Sequence, residues 1–140
     1  MKKLIFTLII ILFGIEARAQ LGFSYQHSLV SSSFGVSTNP DNNLWGEARF
    51  GLNSNEFEIT GMILYNVVRR EDFKLYTGGG IGTILDEGNF SLALGFQVKP
   101  IESKDNFTLF GEYNPLFDTE AGTYIGSGNI GFRYFLKPKK

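Results

Sequence analysis

The sequence holds one histidine, His27, and no cysteine. Any Ser-His-acid site would therefore have to use His27, and thiolate chemistry is excluded. Ser28 is adjacent, and Ser31, Ser32 and Ser33 follow. On a strand, His27 and Ser28 point to opposite faces, which counts against a hydrogen bond between them. No catalytic role is expected for His27. The glycine-rich run Gly78-Gly79-Gly80-Ile81-Gly82 resembles a phosphate-cradling loop only superficially. No helix follows it and the spacing is not the dinucleotide fingerprint, so it reads as a closely packed strand. Asp86, Glu87, Asp118 and Glu120 form an oxygen-rich set of the kind that binds calcium, but solvated loop charge explains them as well. No cofactor and no metal are expected.

These residues sit in a chain whose dominant signal is alternation. In residues 126–136, Ile130, Phe132, Tyr134 and Leu136 fall on one side, with Asn129, Gly131 and Arg133 on the other. The same period of two recurs at residues 21–29, 32–38, 44–52, 56–68, 73–83, 90–99 and 107–114. Turn chemistry separates them: Asn39-Pro40-Asp41-Asn42, a tight hairpin at Asn53-Ser54, and Arg69-Arg70-Glu71-Asp72. Pro100 and Pro115 are expected to end the sixth and seventh strands. A last strand that pairs with the first leaves no free edge, so the pattern predicts an all-β, eight-stranded antiparallel up-and-down barrel.

The polar face decides which side of this barrel is wet. A soluble exterior carries many Lys and Glu. Here that face is mostly Gly, Ser, Ala, Thr and Asn, with three acids, Glu47, Glu58 and Glu112, and three bases, Arg49, Lys74 and Arg133. Small residues and balanced charge suit a narrow lumen, which puts the apolar face outward, toward lipid. Aromatic side chains at both ends of that face form two girdles. Phe23, Tyr65, Phe73, Phe96, Phe107 and Tyr134 lie toward the rim of the chain termini; Phe50, Phe57, Phe90, Tyr113 and Tyr124 lie toward the other. His27 falls near that second rim.

Residues 1–19 read as a cleaved export signal: Lys2 and Lys3, an apolar core, then Ala17-Arg18-Ala19 before Gln20. Residues 20–140 are then the barrel, a transmembrane one. A formal net charge of -1 gives no reason to expect nucleic acid.

Four segments carry a family likeness: Leu75-Tyr76-Thr77-Gly78-Gly79-Gly80-Ile81-Gly82, Leu94-Gly95-Phe96-Gln97-Val98-Lys99-Pro100, Phe110-Gly111-Glu112-Tyr113-Asn114-Pro115 and Ile130-Gly131-Phe132-Arg133-Tyr134-Phe135-Leu136. Together they resemble the small eight-stranded, porin-like outer-membrane β-barrel proteins of Gram-negative envelopes. The resemblance implies residence in the cell outer membrane among its lipids, periplasmic chaperoning, and insertion by the barrel assembly machinery. A monomer is expected. Members commonly end on an aromatic residue, whereas this chain continues through Lys137-Pro138-Lys139-Lys140, which points to an internal assembly signal.

The functional expectation is a non-catalytic outer-membrane barrel with a structural or interaction role and a lumen plugged by paired charges. Hairpin register with Asn53-Ser54 as the turn pairs Arg49 with Glu58; strand adjacency suggests Glu112 with Arg133, and Glu47 with Lys74 across the lumen. Three alternatives stay open: a narrow passive channel, a lipid-A-modifying outer-membrane enzyme, and a secreted soluble lipocalin-like binding barrel.

Overall fold

The computed structural model describes residues 20–29, 31–53, 56–84, 87–101, 103–118 and 122–136. Eight strands follow in chain order: β1 (Gly22–Ser28), β2 (Ser32–Ser37), β3 (Leu44–Asn53), β4 (Glu56–Arg69), β5 (Phe73–Ile84), β6 (Glu87–Val98), β7 (Phe107–Asp118) and β8 (Tyr124–Phe135). Each pairs antiparallel with the next, and β8 returns to β1 with Gly22 opposite Phe135 and Ser28 opposite Asn129. The barrel is closed and has no edge to protect.

Its sidedness follows the alternation. Ile63, Ile81 and Ile130 stand 66%, 73% and 72% exposed on the outer surface, whereas Arg133 is fully buried and Glu47, Arg49, Lys74 and Glu112 nearly so. This is the reverse of a soluble barrel, whose apolar face fills the interior. On the outside, ring contacts link Phe107, Phe132, Tyr25 and Phe34 across four consecutive strands, β7, β8, β1 and β2. Phe90, Phe117 and Tyr124 form a second cluster toward the end away from the termini.

The glycine run behaves as a packed strand. A Cβ on Gly80 would lie 2.3 Å from the Met62 sulfur, and one on Gly78 would lie 2.7 Å from Leu64 Cδ2. These gaps in β5 admit the large inward side chains of β4.

Three local features depart from the sequence reading. Asn53 is the last residue of β3 and pairs with Glu56, so it is not part of a two-residue turn with Ser54, and Arg49 faces Thr60 instead of Glu58. The slip is two residues, which keeps every side chain on its expected face; hydrophobic alternation is blind to such a shift. Strand β7 does not stop at Pro115 but continues to Asp118, with Pro115 opposite Gly126 of β8. Pairing with β6 lapses at that level, between Ser91 opposite Leu116 and Leu94 opposite Tyr113, because proline has no N–H to donate. Finally, Val67 is an extra residue in β4, where pairing jumps from Asn66 with Tyr76 to Val68 with Leu75.

Candidate functional site: the lumen charge network

Closing the sheet brings inward residues of distant strands together at mid-height. Arg49 of β3 reaches Glu112 of β7 in a two-pronged contact, Nη1 to Oε1 at 2.5 Å and Nη2 to Oε2 at 2.9 Å. Its Nε also donates to Glu47 Oε1 at 3.3 Å. Arg133 of β8 donates from Nη2 to Glu47 Oε2 at 2.8 Å and from Nη1 to Gln97 Oε1 at 3.3 Å. Neutral donors complete the carboxylates: the Ser24 hydroxyl to Glu47 and the Tyr76 hydroxyl to Glu112, both at 2.8 Å. Two acids and two bases thus form one chain of bonds from β8 through β3 to β7. Charges this deep persist when paired and hydrogen-bonded, and here Arg133 Nε lacks an acceptor among the described residues.

Arg133 also lies within a ring cage. Its guanidinium carbon is 4.0 Å from the Phe110 ring centre, 4.7 Å from Trp45 and 5.5 Å from Tyr76. Such contacts attract a cation to the ring faces and strengthen when water is excluded. Glycine makes the cage possible, since a Cβ on Gly95 would sit 2.4 Å from Tyr76 Cζ, and one on Gly35 would meet Ser24 Oγ at 2.2 Å and Glu47 Oε1 at 2.6 Å.

At the end bearing the chain termini, the turn between β2 and β3 folds over the lumen. Pro40 is buried, and the Asn66 amide donates to the carbonyls of Pro40 at 2.8 Å and Asn42 at 2.6 Å. Asp41 pairs with Lys74 of β5, with Lys99 Nζ 3.6 Å from its second oxygen. Burial pushes the Asp41 carboxyl up, but the two ammonium groups outweigh it and hold the group below the usual carboxylate range. Space remains on both sides of the network: a mouth lined by Asp41, Arg69, Lys74 and Lys99, and an opposite cup of about 200 Å³ floored by Arg49. Neither is lined by Glu47, Trp45, Tyr76, Phe110 or Arg133.

Among solved structures, the solution structure of the de novo designed transmembrane barrel TMB2.3 matches with a TM-score of 0.67 at 15% identity, covering 86% of this chain and 96% of that one. The N-terminal β-barrel domain of Pseudomonas aeruginosa OprF matches with a TM-score of 0.59 at 10% identity, covering 83% and 96%. Neisserial surface protein A matches at 0.56 and 13% identity, covering 84% and 94%. The fold is that of the eight-stranded outer-membrane barrels. No family model and no curated sequence matches the chain.

Within this outer-membrane-type barrel, the six charges singled out in the sequence all face inward, but their partners differ from those expected. Glu112 is held by Arg49 rather than Arg133, Glu47 by Arg133 and Arg49 rather than Lys74, and Lys74 by Asp41. Glu58 does not pair with Arg49; it accepts from Thr60 Oγ1 at 3.0 Å and meets no cation among the described residues. The reason is register together with closure: Arg49 moves two residues away from Glu58, and Glu112 faces Asn129 while Arg133 faces Thr108. The ring cage was missed outright. Its signal was present, in that Trp45, Tyr76 and Phe110 are aromatic residues on the inward face, where small and polar residues predominate.

His27 is a second correction. It stands opposite Ser32, and its Nδ1 lies 2.7 Å from Ser32 Oγ on the outer surface, so a serine does share its face. A nucleophile also needs an orienting acid. Its register neighbour on β8 is Ile130 and that of Ser32 on β3 is Leu52; among the described residues no acid bonds the ring. Of the acidic set, Glu87 opens strand β6 and Asp118 closes strand β7, while Asp86 and Glu120 lie outside the described residues, as do residues 1–19 and 137–140.

Proposed function

We propose that the chain is a non-catalytic outer-membrane β-barrel with a structural or interaction role, its lumen closed by the Glu47, Arg49, Glu112 and Arg133 network. The carrying observation is the bond chain that crosses the lumen, with Arg133 fully buried at its β8 end among Trp45, Tyr76 and Phe110. A conducting pore needs a continuous wet path. Here the two cavities are separated by a layer of paired charge and aromatic rings.

The apolar exterior and the fold shared with outer-membrane barrels support insertion in that membrane, monomeric, with lipid as the principal contact. Delivery would use the export signal ending at Ala19, periplasmic chaperones and the barrel assembly machinery. His27 and Ser32 act in this reading as polar contacts near the rim, without catalysis.

Envelope fractionation tests the reading. The protein should appear in the outer-membrane fraction with Gln20 as its first residue by mass spectrometry, and should migrate faster on gels unheated than boiled. Recovery as a soluble periplasmic protein would contradict it.

A further inference from the structure

The cup on the far side of the network from the termini holds a carboxylate that pairs with no cation among the described residues. Gln26, Ser33, Gly51 and Glu58 face one another in successive register from β1 to β4. Gly51 keeps this row open, because a Cβ there would lie 3.3 Å from Glu58 Cβ and 3.8 Å from Ser33 Cβ. Among the described residues, Arg49 is the only cation lining the cup, and it is already bound to Glu47 and Glu112. The Glu58 carboxylate therefore lines the cup with the Thr60 hydroxyl as its one bonded partner among those residues. Gln26 is 9% exposed, and its Oε1 is buried without a donor among the described residues. The Glu58 and Gln26 side chains thus line one cavity, with the Gln26 Oε1 tucked behind its surface, and the cavity reaches the rim at Ser31.

We propose that this cup binds a small alkylammonium ion. Glu58 supplies the counter-charge, Gln26 Oε1 and the hydroxyls of Ser33 and Ser127 accept its N–H groups, and Leu116 and Ile125 line the cup beside its carbon portion. Three arguments select this class. A single carboxylate balances one positive charge. Calcium and magnesium take six or more oxygens and favour several carboxylates, whereas this cup has one to offer, and it has no histidine or cysteine for a softer metal. Its volume of about 200 Å³ greatly exceeds that of one water site, leaving room for several heavy atoms. The proposal deepens the interaction role and rests on the network closing the cup from below.

The test uses the full mature chain folded in detergent micelles and followed by NMR of its backbone amides. Ethylammonium chloride is titrated against tetramethylammonium chloride at constant ionic strength, the second ion having the charge but no N–H. Ethylammonium should give saturable shifts at Gln26, Ser33 and Glu58, and tetramethylammonium should not. Glu58→Gln should weaken binding about tenfold or more, the equivalent of about 1.4 kcal/mol. Gln26→Met, which keeps the side chain's length, should weaken it several-fold, and Glu71→Gln at the opposite mouth should leave it unchanged. Equal responses to both ions, no saturable shift, or undiminished binding by both cup variants would overturn the proposal. Since these readouts do not depend on conductance, an open pore and an empty cup would be recognised separately.

Discussion

Arg49 and Glu112, on strands β3 and β7, face each other across the lumen and share two parallel hydrogen bonds of 2.5 and 2.9 Å. Removing Arg49 leaves Glu112 with no cation, and removing Glu112 leaves Arg49 to share Glu47 with Arg133; breaking a buried pair in this way costs about 3 to 5 kcal/mol. Arg49→Met and Glu112→Leu should each destabilise the barrel by that order, and the double variant by less than their sum. Glu58→Gln should change stability by less than about 1 kcal/mol, since no cation is lost. Urea unfolding in lipid vesicles measures all four, with Trp45, the only tryptophan, reporting from inside the lumen.

Gly95 sets the depth to which Tyr76 penetrates. Gly95→Val should push the ring away from Glu112 and open the cage around Arg133, at a cost of about 1 to 3 kcal/mol. Unfolding of this variant alongside Tyr76→Phe separates ring displacement from loss of the 2.8 Å hydroxyl bond. Tyr76→Phe should cost less.

How far these relationships were legible follows from the range of each signal. Which face each residue occupies is a local property of period two, and Arg49, Glu112 and Arg133 were placed inward from alternation alone. Register depends on which residues make the turn, and asparagine and serine at 53, 54 and 55 suit either choice. Partners across the lumen depend on barrel closure, which sets β3 against β7 and β8 at distances in sequence that no local pattern encodes. Pro115 was misread because the usual rule ends a strand at proline, whereas here one lapse in pairing with β6 accommodates it.

The turn between β2 and β3 should respond to acid at Asp41. Its carboxyl is held below the usual range, so the stabilisation is fully present above the unfolded pKa, near 4, and is lost as pH falls through the lower folded value. Hydrogen exchange of the amides at residues 38–43 should be unchanged between pH 7 and pH 5, after allowance for intrinsic rates, with Asp41→Asn raising it throughout. Release already complete at pH 5 would contradict the Lys74 and Lys99 pairing.

The layer formed by Glu47, Arg49, Glu112 and Arg133 with Trp45, Tyr76 and Phe110 is the centre of this account, and ion flow tests it most directly. Planar-bilayer recordings of the purified mature protein should show no large steady conductance, because paired charges and rings block the wet path between mouth and cup. A stable, ion-selective open pore in the unmodified protein would contradict the plug.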